Sequence, residues 1–369
     1  MMGMSAVRLF TVGPVEMRDE IRELGGLATP YFRTREFSDL MLDSDRLLKR
    51  LMGTAETSQA IYLTASGSGA MEAAVLNCFA PQDRLLVING GTFGQRFVDI
   101  CHVHGIPCEE IRLAFGEVLT ENHFSAFADT PLTGVLVNID ETSTGQLYDI
   151  RLLSDFCRRR GLYLMVDAIS SFLCDPYDMD RWGIDATIIS SQKGLCVPPG
   201  MSVVVLNQRI WEERVEKSSL RSLYFDFRAY ALDFQRGQTP FTPAVGICVQ
   251  MNRALHLVEE QGLTKYLAHI AHVAEDFRQK AMRQLPVDLP AYPLSNAITP
   301  LIFGHGEAYQ VFEILKDVYG VMVNPTGGKW HDKVLRVAHI GKMDVKDNDF
   351  LLDCMKKAIR QVPCGTIQT

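Results

Sequence analysis

A lysine followed at once by glycine, in Ser190-Ser191-Gln192-Lys193-Gly194, closes the apolar run Ala186-Thr187-Ile188-Ile189. Desolvation at the end of a buried strand lowers a lysine pKa toward the neutral amine that attacks carbonyls, and the adjacent glycine leaves room for a ligand. On an open loop the same lysine would be only a solvated charge. Upstream, Asp167 ends a second apolar run, Leu162-Tyr163-Leu164-Met165-Val166. A carboxylate buried there needs a cation or a hydrogen-bond donor opposite it. A protonated pyridine nitrogen would satisfy it; so would the backbone of the Ala168-Ile169-Ser170-Ser171 turn, if the aspartate caps it.

Other segments offer recognition. Ser66-Gly67-Ser68-Gly69-Ala70 joins an apolar run to a helical one. Glycines let the backbone close on an anion, and free N–H groups at a helix start favour negative charge, so a phosphate is the expected guest. Gly67-x-Gly69 also begins a dinucleotide fingerprint, but Glu72 stands where the third glycine would allow close helix packing. A tight turn without ligand is the plainer alternative. Phe93, after Gly90-Gly91-Thr92, could stack on a flat ring or pack in a core. In Glu141-Thr142-Ser143-Thr144-Gly145 a hydroxyl could bond a ring substituent, or the segment could simply turn the chain.

These groups act together only if the chain brings their segments to one place. From about residue 60, short apolar runs alternate with amphipathic ones, the pattern of stacked βα units. Strands are expected over 60–64, 84–89, 134–139, 162–167, 186–190 and 201–206, with helices over 70–80 and 93–104. Runs that are apolar throughout imply a sheet covered on both faces, hence a mostly parallel, open α/β sheet. Such sheets bind ligands beyond the carboxyl ends of their strands, where every segment named above lies. After about residue 255 the texture changes to long helical patterns, 263–285 and 307–319, around short strands at 298–303 and 334–340. The expected organisation is a large α/β domain over 16–255 and a small α+β domain over 256–369, with residues 1–15 packing on the latter.

Composition narrows the function. With 47% hydrophobic and 22% charged residues and a net charge of −7, the chain has room for a core and lacks the basic face that holds a nucleic-acid backbone. Met1-Met2-Gly3-Met4-Ser5-Ala6-Val7 does not read as a secretory signal, and no stretch is long and apolar enough to span a bilayer. Nine cysteines, none in a C-x-x-C pair, read as small apolar residues of a reducing, cytoplasmic setting. Cys101-His102-Val103-His104 with Cys108 matches no common zinc spacing and reads as a helix end turning through Gly105 into a strand, so no metal site is expected.

Taken in order, the segments resemble the class V aminotransferases, and the likeness covers nearly the whole chain. It runs from Phe10-Thr11-Val12-Gly13-Pro14 through Gly67-Ser68-Gly69, Gly94-Gln95-Arg96, Ser143-Thr144-Gly145, Val166-Asp167-Ala168 and Ser191-Gln192-Lys193 to Leu335-Arg336-Val337. The resemblance implies fold type I, a pyridoxal 5′-phosphate cofactor joined to Lys193 as a Schiff base, and Asp167 on the pyridine nitrogen. It further implies Phe93 stacked on the ring, Ser143 near the ring oxygen, Ser68, Gly69, Ala70 and Gln192 about the phosphate, and Ile169 among the cofactor contacts. Gly13 and Arg336 would meet the substrate, Arg336 clamping its carboxylate; alone, Arg336 could equally sit in a surface ion pair. Thr242, in Thr239-Pro240-Phe241-Thr242-Pro243, would complete the phosphate site of a neighbouring subunit, which makes the active form a homodimer. The reaction implied moves an amino group from a small amino acid, or an aminophosphonate, to a small 2-oxo acid such as pyruvate or glyoxylate. Val12, Ala70 and Thr239 depart from the commonest family residues, which bears on substrate rather than on reaction type.

Three rivals remain. A lyase or cysteine desulfurase of the same fold tends to have histidines where Phe93 and Gln192 stand. An NAD-linked oxidoreductase would use the glycine turn but gives Lys193, Asp167 and Arg336 no joint task. A catalytically silent binding protein would not need the lysine and aspartate. For an aminophosphonate donor, Arg33 and Arg35 are the candidate extra cations, unless both are solvated surface charges.

Overall fold

The protein is described by a computed structural model over residues 7–362. The residues read for a secretory signal, as far as Ala6, and Cys364 lie outside that range.

The apolar runs form a seven-stranded sheet. Its strands are β1 (Gln59–Leu63), β2 (Leu85–Asn89), β3 (Cys108–Arg112), β4 (Gly134–Asn138), β5 (Tyr163–Asp167), β6 (Ala186–Ser190) and β7 (Ser202–Leu206), in the spatial order β1-β7-β6-β5-β4-β2-β3. β7 runs antiparallel to both of its neighbours, and the other pairings are parallel. Every residue of β2, β4, β5, β6 and β7 is buried, as runs without polar alternation demand. Successive residues feed opposite cores: Leu86, Ile88, Leu164 and Val166 enter one, and Leu85, Val87 and Met165 the other. Each such fully buried side chain stabilises the fold by about 1.5–3 kcal/mol.

Helices cover both faces. α1 (Arg35–Met52), α4 (Ile150–Arg160) and α5 (Val245–Gln261) pack on the first core, and α2 (Gly67–Cys78) and α3 (Thr92–Val103) on the second. α1 is capped by Thr34, whose hydroxyl accepts from Phe37 N, and buries Phe37, Met41, Leu48 and Met52 along one stripe. The stretch from Cys101 to Cys108 is the end of α3, a turn at Gly105 with φ +64°, and the start of β3.

A four-stranded antiparallel sheet makes a third core with α6 (Leu263–Gln284), α7 (Ala308–Tyr319) and α8 (Val345–Gln361). Its strands are β8 (Val287–Asp288), β9 (Ile298–Phe303), β10 (Asn324–Pro325) and β11 (Val334–Ala338), ordered β8-β9-β11-β10. The change of texture near residue 255 falls inside α5, which continues to Gln261 and breaks at Gly262. Arg8–Leu9 pairs with Val321–Met322 and Phe10 enters the third core, while Val12 and Val15 enter the first. Among the described residues no helix is long and apolar enough to cross a membrane.

Candidate active site

Because β1, β2, β4, β5 and β6 run the same way, their carboxyl ends meet along one edge of the sheet. Lys193 stands three residues beyond β6 and is only 9% exposed. Burial lowers its pKa to about 8; Asp140 and Asp167 oppose that shift, and Arg336 adds to it. Two glycines make space for the side chain and its loop. A Cβ on Gly13 would lie 2.6 Å from Lys193 Cδ, and one on Gly194 would strike the Phe172 carbonyl.

Asp167 ends β5, the neighbouring strand, and is 5% exposed. Its Oδ1 accepts from Ile169 N at 2.8 Å, the turn contact anticipated as its plain reading. No cation meets it, and burial, with Glu141 adding, raises its pKa to about 7 against the pull of Ile169 N, Lys193 and Arg96. Capping the turn therefore leaves most of the burial cost uncompensated.

Ser66 caps α2, its Oγ accepting from Gly69 N at 3.4 Å. Ala70 N donates to Ser66 O, so Ala70 flanks this helix start without offering a free donor. Ser68 Oγ accepts from Arg96 at 2.9 Å, and the Arg96 guanidinium lies 4.8 Å from the Phe93 ring centre, which joins the Ser66–Ala70 turn to the start of α3. Ile169 packs against Gly67, where a Cβ would meet its Cδ1 at 2.5 Å. Gln192 Oε1 accepts from Ser190 Oγ at 2.7 Å.

Glu141, fully buried, is the organiser that residue-by-residue reading did not single out. Its carboxyl accepts from Phe93 N at 3.3 Å, Gly94 N at 3.0 Å and Asn138 Nδ2 at 2.8 Å, and so pins the start of α3. Ser143 Oγ donates to Glu141 and accepts from Thr92 N, which leaves one lone pair for any ring substituent.

Arg336 reaches over from β11. Its Nη1 donates to Thr142 O and its Nη2 to Pro325 O, both at 2.8 Å, while buried Nε has no partner. Phe93, Ser143, Thr326 and Arg336 line one cleft of about 500 Å³, and Thr326 Oγ1 is likewise buried and unpartnered. A larger cleft, about 890 Å³, lies between Arg8, Asp19 and Lys342, where Arg8, Arg22 and Lys342 are already paired with acids.

Some expected residues stay apart within one chain. Thr242 is exposed. Arg33 bonds Gln238 and Thr239 O, and Arg35 is 91% exposed beside Asp39. Neither arginine lines the cleft.

A family model described as "Aminotransferase class-V" matches residues 31–333. The chain is 30% identical to the soluble hydrogenase small subunit of Synechococcus sp. (strain PCC 6716), over 85% of this chain and 83% of that one. It is 26% identical to the L-aspartate–glyoxylate aminotransferase of Paracoccus denitrificans, over 91% and 86% of the two chains. The solved aspartate aminotransferase of Thermus thermophilus superposes with a TM-score of 0.88 at 25% identity, covering 96% of this chain and all of that one.

Proposed function

The chain belongs to the class V aminotransferase family, and from that premise we propose that it moves an amino group from a small amino acid to a small 2-oxo acid such as glyoxylate or pyruvate. It is a fold type I aminotransferase that uses pyridoxal phosphate. One observation supports this reading of its site: on buried Lys193 act the charges of Asp167, from the large sheet, and of Arg336, from the small one.

The residues fit the cofactor. Asp167 is a buried carboxyl still lacking the cation that would hold it ionised, which a protonated pyridine nitrogen supplies. The start of α2 beside Ser68, Gly69 and Gln192 suits a phosphate, and Phe93 offers a ring face. Bound there, pyridoxal phosphate supplies a carbonyl that captures amines and a conjugated ring that takes up the electrons left by a departing proton.

The chain's own residues do the rest. Lys193, with its pKa lowered to about 8 by burial, presents a fraction of neutral amine near neutral pH and can accept and return a proton at Nζ. Asp167, once paired, keeps a proton on the ring nitrogen. Glu141 fixes Phe93 through the backbone N–H groups at the start of α3. Arg336 offers its unpartnered Nε–H to a substrate carboxylate, with the Thr326 hydroxyl beside it.

Relatives named as glyoxylate aminotransferases support the acceptor class. Within one chain a carboxylate donor is favoured over an aminophosphonate, since neither Arg33 nor Arg35 lines the cleft that holds Arg336. We further propose a homodimer in which Thr242 completes a partner's phosphate site; exposed Leu27, Tyr31, Leu223 and Leu232 give it apolar surface to bury. Cytoplasmic placement rests on the unpaired, mostly buried thiols.

Purified protein should be yellow, and a donor-by-acceptor panel should show keto-acid product with small amino acids and glyoxylate or pyruvate. A colourless protein that takes up no pyridoxal phosphate would refute the site. Turnover of an aminophosphonate alone would overturn the substrate ranking.

A further inference from the structure

A second buried carboxyl acts on Lys193 through its charge. Asp140 follows β4 by two residues and is 3% exposed, and among the described residues neither of its oxygens has a hydrogen-bond partner. The nearby Ser295 hydroxyl donates at 2.6 Å to Asp175 instead, whose other oxygen accepts from Asn296 N. An unpartnered acid at this depth costs stability that a structural role would not explain.

The titratable groups around it come from every neighbouring element. They are Glu141 on its own segment, Cys174 and Asp175 after β5, Lys193 after β6, Tyr148 just before α4 and Tyr292 before β9, with Arg278 from α6 and Arg336 from β11. Burial first, then Asp175 and Glu141, push the Asp140 carboxyl well up, and Lys193 pulls it back. Among the charges acting on Lys193, Asp140 is the strongest, ahead of Asp167. Asp167 has a partner waiting in the ring nitrogen; for Asp140 the cation acting on it most is Lys193, with the Ser295 hydroxyl nearby but turned to Asp175.

Resting on the aminotransferase reading, we propose that Asp140 is the proton partner of Lys193, taking the proton the lysine must shed to become a nucleophile and handing it back when the amine is released. The exchange is balanced. Lys193 ammonium and Asp140 carboxylate become neutral amine and carboxylic acid, with no net charge moved into or out of the pocket. Because neither Asp140 oxygen is hydrogen-bonded, the proton crosses through a bridging water or a swing of the lysine stem. One buried acid thus serves the ring and the other serves the amine.

The test is a pH titration of the visible band of the bound cofactor. Asp140→Asn removes the negative charge that favours a protonated nitrogen at Lys193, so its midpoint should fall by about one unit. In the same variant kcat should drop about tenfold or more with KM little changed, and Asp140→Glu should restore both. An unmoved midpoint with only a lower melting temperature would overturn the proposal. So would failure of both variants to fold, which would assign the carboxyl to the architecture. Wild-type protein without any visible band would instead refute the aminotransferase reading itself, so the two failures are distinct.

Discussion

The two sheets serve the site differently. On the large one, each reactive group sits at or just past the end of a strand buried along its whole length, and burial moves the Lys193 and Asp167 pKa values to about 8 and about 7, toward each other. On the small one, Arg336 lies within a strand and crosses to bond Thr142 O, and burial lowers its pKa without leaving it neutral at any working pH. The proton chemistry proposed for the site thus falls where the strands are buried along their whole length. On the proposed assignment substrate recognition belongs to a separately packed body, which could change its guest without disturbing the chemistry.

The sharpest way to break that division is at the lysine. Lys193→Ala should abolish the cofactor's linkage and lower turnover by about a thousandfold or more, with the visible band lost. Substrate affinity measured by competition should persist, because Arg336 is untouched. The converse variant, Arg336→Gln, should keep the visible band and raise KM for carboxylate substrates about tenfold to a hundredfold. If Arg336→Gln instead abolished the band, the two sheets would not be functionally separable.

A milder probe leaves the sequence alone. The Lys193 ammonium predominates below about 8 and the amine above it. Capture of pyridoxal phosphate by cofactor-free protein should therefore quicken with pH, changing about tenfold per unit below that midpoint, and level off above it. Stopped-flow absorbance checks this; a midpoint near the ordinary lysine value would mean that the pocket does not desolvate the amine.

Much of this was legible in the residues because the large sheet is made of unbroken apolar runs. Ala186–Ser190 and Ile298–Phe303 form strands over the very residues their patterns mark. Helices α1, α5 and α8 were not read, since their apolar positions are spaced among many charges and show only as a stripe; α5 also hides the break at Gly262 behind an apparent change at 255. The segments bearing Lys193 and Asp167 were readable because each closes an unbroken apolar run, whereas Arg336, inside a strand of the small sheet, came only through the family resemblance. The roles of Glu141 and Asp140 were not. The α3 amides that Glu141 holds come 47 and 48 residues earlier, and an aspartate beside a turn gives no hint of being buried without a partner.

The smallest effect lies at the joint between the two bodies. Ser295, just before β9, donates to buried Asp175 Oδ2, so Ser295→Ala leaves that oxygen unpartnered at a cost of about 1–3 kcal/mol. Burial raises the Asp175 pKa to about 6, with Ser295 and Asn296 holding it down from a higher value. An acid with a raised folded pKa costs the protein stability as pH climbs from the unfolded pKa through the folded one, because the charged form is the disfavoured one. Removing Ser295 raises that pKa further, so the melting-temperature loss should be larger at pH values above about 6 than below it. Melting curves of the cofactor-free variant on both sides of that value test the point. A loss independent of pH would mean that the serine only fills space, and the joint would then owe nothing to the buried acid.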